Sequence, residues 1–405
     1  MGGGRVLPRH SDALAGRSPM YEAWLQLTHK GLLVAGAPFV LTLVLVFVLK
    51  PVALRLGLVD HPGVRKTHGA PTPLAGGAAI TVAALASAAV LLPITRDVAA
   101  LGAASVMMLI VGTIDDRYDI NWRVRIAAQT VAALLLYTWG GVRVESIGAA
   151  FGFPDHNLGV LSLPFTILAT VGVTNAINWA DGVDGLAGSL CLAAFVMLTA
   201  AAIYAGNTPL ADDLMLMAGC VMGFLAYNLR TLWRPRASVF LGDGAEILGL
   251  WIAWASFRLT QTVGHPVTPV LAPFLIAPPV IDCLVLIVRR LRARRSPFFA
   301  DRNHLHHHLL DAGLSSTAVV VLLTASSLAI GLAAAEARRI HVPEPIFPAI
   351  YLVVAAAYFL ISRRRGDRLA PPAEASVRTA DPSRRTEPIT DSVLVAPVGV
   401  EGSEI

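Results

Sequence analysis

The sequence predicts an all-α, polytopic membrane protein. Of its 405 residues, 55% are hydrophobic and only 15% are charged, whereas about a quarter of the residues of a soluble domain carry charge. The apolar residues form continuous blocks of about 16–20 residues, the length that a helix needs to cross the hydrocarbon of a bilayer. The blocks do not alternate apolar with polar residues, which argues against the strands of a membrane barrel.

The blocks predict about eleven transmembrane helices, which divide the chain into three parts. Residues 31–362 form the predicted transmembrane domain, and the polar 363–405 are predicted to be a disordered cytoplasmic tail. Residues 1–30 lack the pattern of a cleaved signal peptide and are predicted to be an extracytoplasmic segment. In chain order, the predicted spans are 31–49, 74–92, 98–114, 124–140, 159–178, 186–205, 214–229, 245–261, 269–288, 316–335 and 346–362.

The distribution of basic residues predicts the orientation. On one side of the predicted membrane, the connections together with Arg125, at the start of the fourth span, carry 20 Lys and Arg residues, and those on the other side carry 8. The positive-inside rule places the basic side in the cytoplasm, so the N-terminus lies outside and the C-terminus inside. We number five connections of the basic side as loops 1 to 5. They are residues 50–73, 115–123, 179–185, 230–244 and 289–315. The chemically dense motifs of the chain fall in or next to these loops, which predicts one site at the cytoplasmic face.

Adjacent carboxylates, Asp115 and Asp116, follow the third predicted span. If the helix continues for one more turn, Asp115 and Asp119 share a face. Adjacent carboxylates repel, and a low dielectric strengthens the repulsion, so a divalent cation or one retained proton would relieve it. Oxygen ligands favour Mg²⁺ or Mn²⁺ over zinc. The alternative is a solvated helix end with Arg117 as the neighbour.

A second polar motif recurs every third residue, at Asn175, Asn178, Asp181 and Asp184. On a helix end this spacing makes one polar stripe, and the glycine after each aspartate lets backbone approach a ligand. A turn could use Asp-Gly twice. Because burying unpaired amides at the end of an apolar span is costly, a functional role is favoured.

The fifth loop holds His304, His306 and His307 close to Arg302. By composition such a cluster could bind a metal. However, no cysteine accompanies it, and His306, His307 and His308 are consecutive, so they cannot all face one ion on a regular helix. Binding of an anion next to Arg302 is therefore the more natural interpretation.

Asp282 lies inside the ninth predicted span. A carboxylate within a span is costly and is a functional candidate by default. The alternative is an interhelical hydrogen bond to Asn, Ser or Thr. We expect Asp282 to support the residues that contact the substrate and not to contact the substrate itself.

Carboxylates, amides, histidines and basic groups at a membrane surface fit phosphoryl transfer, in which a cation neutralises charge and the protein positions the reactants. The sequence has neither a Walker A motif nor a serine nucleophile elbow. A transporter would also use many spans and an intramembrane aspartate, but its polar groups would lie near the midplane of paired repeats. The polar groups of this chain lie at one interface, and no two halves are evident in the sequence. A structural scaffold would not need Asn178 and Asp181 at the end of a span.

These motifs resemble those of the polyprenyl-phosphate N-acetylhexosamine-1-phosphate transferases, with all five loops in the same order over residues 31–362. The Asp-Asp-Arg-Tyr-Asp and His-x-His-His forms are similar to the branch that uses UDP-N-acetylglucosamine and undecaprenyl phosphate. The UDP-muramoyl-pentapeptide branch usually follows its histidine triplet with an acidic residue, where this chain has Leu309, so that branch is the second choice. The matching motifs are Asn175-x-x-Asn178-x-x-Asp181-Gly-x-Asp184-Gly185-Leu186, Pro62-x-x-Arg65-Lys66-x-His68 and His304-x-His306-His307.

The resemblance implies transfer of N-acetylhexosamine-1-phosphate, with N-acetylglucosamine-1-phosphate as the expected group, from a UDP-sugar to undecaprenyl phosphate with release of UMP. It implies an enzyme of the inner membrane with Mg²⁺ as cofactor and Mn²⁺ as an alternative. Such a step would start synthesis of O-antigen, enterobacterial common antigen or a teichoic-acid linkage. The expected partners are the two substrates and membrane lipids. A homodimer is left open, and no nucleic-acid partner is expected.

The resemblance also assigns roles to residues. Asp115 would act as a base towards the lipid phosphate or place it, and a phosphate monoester is already mostly ionised near pH 7. Asp181 and Asp184 resemble nucleotide-site residues, and the histidines resemble contacts to the pyrophosphate or sugar. The implied catalytic residues are Asp115, Asp116 and Asp243; the implied metal ligands are Asp116, Asp243 and Asn178; the implied substrate-binding residues are Arg65, Lys66, His68, Asn175, Asn178, Asp181, Asp184, Arg302, His304, His306 and His307.

Loop 4 departs from the family pattern. The family commonly has Gly-Asp-x-Gly-Ser, and this chain has Gly242-Asp243-Gly244-Ala245-Glu246. The extra carboxylate of Glu246 could bind the metal, shift its affinity or point away.

Overall fold

The structure, a computed structural model, describes residues 19–60, 71–153, 157–261, 267–297 and 303–363. Almost all regular structure in these ranges is helical, and the predicted all-α class is confirmed. The helices are α1 (Pro19–Leu56), α2 (Gly76–Leu91), α3 (Arg96–Tyr118), α4 (Trp122–Leu134), α5 (Ser162–Ala180), α6 (Leu186–Tyr204), α7 (Thr208–Asn228), α8 (Gly244–Thr260), α9 (Ala272–Leu275), α10 (Ala277–Arg292), α11 (Leu305–Asp311), α12 (Ser316–Arg339) and α13 (Ile346–Arg363). A π-helical turn, Leu135–Trp139, extends α4, and 3₁₀ turns at Gly159–Leu161 and Pro269–Leu271 precede α5 and α9.

Each predicted span coincides with a helix or, for the ninth span, with a pair of helices. Among the described residues, 6 helices are long and apolar enough to cross a membrane, and α9 with α10 would make a seventh. The helices that meet this criterion are α1, α3, α5, α6, α7 and α12. The multi-pass membrane class is therefore confirmed, and the count of eleven stays a prediction. Helix α1 begins at Pro19, earlier than the predicted span, so the helix takes in part of the predicted N-terminal segment.

The ninth predicted span, 269–288, is broken into two helices. Helices α9 and α10 meet at an angle of 88°, with Ile276 between them and Pro278 in the first turn of α10. A proline lacks the N–H that would continue the helical hydrogen bonds across the break. The result is a short α9 followed by a helix that carries Asp282 in its first half.

Helix α8 forms the centre of the bundle. Each of its residues except Arg258 is buried, which is expected of a helix that is apolar on all sides. The Trp251 indole Nε1 donates a hydrogen bond to Ser105 Oγ at 2.8 Å and joins α8 to α3. By contrast, α1 and α13 expose large apolar side chains such as Phe47 and Leu352, as helices that face lipid do.

Loop 4 runs beside a short hairpin before α8 begins. The strands β1 (Val59–Asp60) and β2 (Thr72–Pro73) pair antiparallel, and Leu74 forms a parallel bridge to Phe240. The N–H groups that start α2 donate to the carbonyl oxygens of loop 4, at 3.0 Å from Gly76 and 3.1 Å from Gly77. Loop 1 and loop 4 are therefore held together at one end of the bundle.

Two glycines allow α2 and α8 to touch at that same end. A Cβ atom on Gly244 would lie 2.2 Å from the Cα of Gly77, and one on Gly77 would lie 2.5 Å from the Cα of Gly244. Real Cβ atoms do not approach backbone so closely. The contact fixes the first turn of α8 and hence the position of Asp243, the residue before it.

Candidate active site

Four carboxylates meet where α3 ends and α8 begins. Asp115 and Asp116 come from the last turn of α3, Asp243 immediately precedes α8, and Glu246 lies in the first turn of α8. The N–H of Asp243 points at the Asp116 carboxylate, 3.4 Å from each oxygen. Carboxylates packed this closely repel one another, so the cluster favours binding of positive charge.

Arg125 of α4 supplies part of that charge. Its guanidinium lies 2.7 Å from Asp115 Oδ2, 3.4 Å from Glu246 Oε1 and 3.9 Å from Asp243 Oδ1. The side chains of Asp115 and Glu246 are only 7% and 5% exposed, so these ion pairs are largely shielded from water. Arg125 thus contacts three of the four carboxylates at once.

Asp243 is the least satisfied of the four. Its burial raises its pKa to about 9, and a hydrogen bond with Asp115 and the charge of Glu246 act in the same direction. Its Oδ2 is buried and has no hydrogen-bond partner among the described residues. Such an orphaned acceptor, close to Asp116, is a donor atom suited to a hard cation.

Groups of three or more His, Cys, Asp and Glu side chains that could hold a metal ion are absent from the described residues. Mg²⁺ in phosphoryl-transfer sites is usually held by one or two carboxylates with substrate phosphates and water. Asp116 and Asp243 supply that number of carboxylates, so the residues present fit a cation that shares its coordination with a substrate.

The two asparagines of the predicted stripe point to different helices. Asn178 Nδ2 donates to Glu246 Oε1 at 2.8 Å, which places the amide at the carboxylate cluster. Asn175 is buried and donates to Gln129 Oε1 at 2.6 Å and to the Val171 carbonyl at 2.8 Å. Asn178 can therefore contact a cation through Oδ1, whereas Asn175 joins α5 to α4.

Asp119 does not share the site with Asp115, contrary to the prediction for a continued helix. Helix α3 ends at Tyr118, and Asp119 is exposed with a left-handed φ of 51°. Asp115 instead accepts the N–H of Ile120 at 2.8 Å on one oxygen and Arg125 on the other. Both oxygens of Asp115 are thus engaged in holding the turn between α3 and α4.

Asp181 lies directly after α5, beside the carboxylate cluster. Its burial raises its pKa to about 7, and the charges of Asp184, Asp116 and Asp60 add to the effect. These neighbours come from loops 1, 2 and 3. These carboxylates of the three loops therefore lie near one another.

Asp184 lines a cleft next to this site. Its carboxylate accepts hydrogen bonds from Arg230 Nε at 2.8 Å and from the Ala237 N–H at 3.1 Å, which fixes loop 4 against loop 3. The cleft has a volume of about 230 Å³, and its polar and aromatic walls include Lys50, Thr72, Asp184, Arg236, Ser238 and Phe240.

The histidines of loop 5 meet loop 3. The rings of His304 and His306 are stacked with centroids 5.5 Å apart, and those of His306 and His307 are 4.3 Å apart. A Cβ atom on Gly182 would lie 2.2 Å from His306 Nε2. The glycine after Asp181 is thus needed for the buried His306 ring to reach the loop.

Four predicted substrate-binding residues, Arg65, Lys66, His68 and Arg302, lie outside the described residues. Sequence reasoning missed Arg125 and Gln129 as parts of the site. The two residues are four apart on α4 and share a face, which was the one signal that could have identified them.

The geometry defines an integral membrane protein with an acidic site at one end of its helices, and comparison with known proteins identifies its family. Residues 98–260 match the glycosyl transferase family 4 profile. A relative from Escherichia coli (strain K12) is 31% identical over 324 residues, which cover 80% of this chain and 87% of the relative. The chain therefore belongs to glycosyl transferase family 4, and the predicted membership of the polyprenyl-phosphate N-acetylhexosamine-1-phosphate transferases is confirmed.

The relatives share one description. The Escherichia coli protein is an undecaprenyl-phosphate alpha-N-acetylglucosaminyl 1-phosphate transferase. Proteins of the same description are 31% identical in Yersinia pestis, over 79% of this chain and 88% of the relative, and 33% identical in Haemophilus influenzae, over 68% of this chain and 78% of the relative. The similarity thus extends well beyond the residues that match the family profile.

Proposed function

We propose that this protein transfers N-acetylglucosamine-1-phosphate from UDP-N-acetylglucosamine to undecaprenyl phosphate and releases UMP. The observation that carries the proposal is the cluster of Asp115, Asp116, Asp243 and Glu246 around Arg125, with one buried Asp243 oxygen left unpaired. The names of the relatives supply undecaprenyl phosphate as the acceptor and N-acetylglucosamine 1-phosphate as the transferred group, and the resemblance of the sequence motifs supplies the UDP-linked donor.

The proposed reaction exchanges one phosphoanhydride bond for another. An oxygen of the lipid phosphate bonds to the sugar-bearing phosphorus of the donor. The bond from that phosphorus to the bridging oxygen breaks, and UMP leaves with that oxygen. Both reactants are anions, so a site for them must offset repulsion and align them for in-line attack.

A divalent cation would fit between Asp116 and Asp243, with Asn178 Oδ1 as a further donor. Mg²⁺ bound there would neutralise charge on the donor diphosphate, and Mn²⁺ has the same preference for oxygen ligands. Glu246 is committed to Asn178 and Arg125, which supports Asp116 and Asp243 as the ligands.

Asp115 is better suited to placing a group than to taking a proton. Its oxygens are engaged by Arg125 and by the Ile120 N–H, and the lipid phosphate needs no base near pH 7. We assign to Asp115 the role of holding Arg125 in the cluster, where the guanidinium can offset the charge of an incoming phosphate.

The donor would lie between the acidic cluster and the histidines. Asp184 and Phe240 line the neighbouring cleft, which offers room for the nucleotide. His304 and His306 stand beside loop 3, where they can contact the diphosphate or the sugar. The basic loops around the site support its placement at the cytoplasmic face of the inner membrane.

Purified protein in detergent or lipid, supplied with UDP-N-acetylglucosamine, undecaprenyl phosphate and Mg²⁺, should release UMP. A panel of UDP-sugars that includes UDP-muramoyl-pentapeptide tests the donor. Greater activity with the pentapeptide donor would favour the muramoyl branch, and no UMP release from any UDP-sugar would refute the proposed activity.

Asp116→Asn and Asp243→Asn should each lower UMP release at least ~100-fold, because the loss of a carboxylate from a shared cation site removes charge stabilisation. Asp119→Asn is the matched control, since Asp119 is exposed in the same motif and asparagine tolerates its left-handed backbone. Rates near wild type for the Asp116 and Asp243 variants at normal expression would remove the metal assignment.

A further inference from the structure

Asp282 takes part in a polar cluster that the proposed reaction does not explain. It lies in α10, and its side chain is buried. Asp282 Oδ1 accepts hydrogen bonds from the Tyr358 hydroxyl at 2.7 Å and from the Leu305 N–H at 2.9 Å. Asp282 Oδ2 lies 3.0 Å from His304 Nδ1. The carboxylate therefore links α13 and the start of α11 to one histidine of the site.

The two carboxylate oxygens of Asp282 have different partners. Oδ1 satisfies a backbone N–H at the start of α11 and the hydroxyl from α13, so it supports the fold. Oδ2 faces the His304 imidazole. An ionised carboxylate is an acceptor at both oxygens, so the hydrogen in this contact belongs to His304 Nδ1. The nitrogen on the other side of the ring, Nε2, is then free of that hydrogen in the neutral ring and available to the site.

The ring of His304 is also held from its other sides. Trp179, the residue after Asn178, contacts it edge to face with centroids 5.9 Å apart. His306 is stacked against it with ring planes only 13° apart. Arg290 lies 4.7 Å above the Trp179 ring, which holds the tryptophan in turn. The imidazole therefore has a fixed plane, and its tautomer is the property that Asp282 sets.

We propose that Asp282 is a positioning residue that fixes the tautomer and direction of His304, and that Tyr358 holds Asp282 in place for this purpose. This inference rests on the proposed function, in which His304 contacts the sugar-phosphate donor. The carboxylate–histidine pair resembles in its logic the pairs that orient metal-binding and catalytic histidines in other proteins.

Asp282→Asn separates this role from support of the fold. Leu305 can only donate its N–H, so the amide oxygen of the variant must stay on that side. The amide NH₂ then faces His304 Nδ1, which must become an acceptor, and the hydrogen moves to Nε2. The variant therefore reverses the polarity of the imidazole while it keeps the size of the side chain and the bonds at Oδ1.

We expect Asp282→Asn to lower kcat/KM for UDP-N-acetylglucosamine ~10- to 100-fold, in the range seen when a partner of this kind is removed, with the thermal unfolding midpoint close to that of wild type. His304→Asn provides the second background, because its amide can turn either its oxygen or its NH₂ towards residue 282. In the His304→Asn background, Asp282→Asn should lower kcat/KM less than twofold. An equal loss in both backgrounds would show that Asp282 acts through the fold and would overturn the inference.

Tyr358 has a matched control on the same helix. Tyr358→Phe removes one of the two donors to Asp282 Oδ1 and should lower kcat/KM severalfold. Tyr351→Phe removes a buried hydroxyl that has no hydrogen-bond partner among the described residues and should leave kcat/KM unchanged. Equal kinetics for the two variants would refute the role of Tyr358.

The ¹⁵N spectrum of labelled histidines tests the same inference without activity. The His304 signals are assigned by their loss in His304→Asn. Wild type should show the hydrogen on Nδ1, and Asp282→Asn should show it on Nε2. An unchanged tautomer would refute the proposed role of Asp282, whereas a wild-type protein that shows the expected tautomer but releases no UMP would refute only the proposed function.

Discussion

Replacement of Arg125 by glutamine would test whether the acidic cluster is held together by this side chain. Arg125→Gln keeps a polar side chain on α4 but removes the cation that contacts Asp115, Asp243 and Glu246. The four carboxylates would then face one another with no guanidinium among them. We expect the variant to lose stability and transfer activity together.

The distances set the size of the effect. At the separations of 2.7 Å from Asp115 and 3.4 Å from Glu246, each ion pair is worth roughly 5–6 kcal/mol of gross attraction at an effective dielectric of about 20. Asp243, whose pKa is raised to about 9, carries little charge near pH 7 and adds less. Desolvation of the partly buried guanidinium, which is 25% exposed, offsets much of this. Removal of one partner from a buried ion pair costs about 3–5 kcal/mol, and we expect a loss of that size in the free energy of unfolding.

Denaturant unfolding in detergent, with EDTA present, measures this loss. Arg123→Gln is the matched control, since Arg123 is exposed on the same helix and stacks on Trp122. It should change the unfolding free energy by less than about 0.5 kcal/mol. The loss of unfolding free energy in Arg125→Lys should lie between those of Arg125→Gln and Arg123→Gln, because one ammonium cannot span Asp115 and Glu246 as the guanidinium does. Equal stability of Arg125→Gln and Arg123→Gln would refute the reasoning.

Two glycine substitutions test how the loops are joined. Gly182→Ala should displace the His306 ring, whose Nε2 would lie 2.2 Å from the new Cβ, and should lower kcat/KM in wild type but not in a His306→Ala background. Gly244→Ala forces α8 away from the backbone of Gly77 and should cost about 1–3 kcal/mol of stability together with activity, measured by thermal unfolding and UMP release. Gly172→Ala is the control, because the Cβ position of Gly172 on α5 has open space around it, and it should change neither stability nor UMP release. Unchanged stability in Gly244→Ala would contradict the close contact between α2 and α8.

The sequence predicted from topology that the polar loops share one end of the bundle. Counts of basic residues placed five loops on one side. The described parts of these loops do meet at one end of the bundle, at Asp60, Asp116, Asp181, Asp243 and His306. This worked because a helix that crosses a membrane must end at one of two faces. The face of each loop could therefore be predicted without any knowledge of how the helices pack.

The sequence could not show which helix each polar side chain would face. A step of three residues turns a helix by about 300°, so Asn175 and Asn178 point some 60° apart, and one meets Gln129 of α4 while the other meets Glu246 of α8. Helix α5 then ends at Ala180, and the predicted stripe does not continue to Asp184. Arg125 was counted only as a topology signal, because its partners on α3 and α8 are set by packing.

Glu246, the departure from the family motif, is explained by these same contacts. An additional carboxylate beside Asp243 would raise the repulsion in the cluster if nothing compensated it. Glu246 Oε1 instead receives the Asn178 amide at 2.8 Å and lies 3.4 Å from Arg125 Nε. The Glu246 carboxylate therefore contacts α4 and α5 and joins both helices to α8 next to Asp243. The alternative in which Glu246 points away is excluded, and its engagement leaves Asp116 and the unpaired Asp243 oxygen as the atoms best placed to share a cation with a diphosphate.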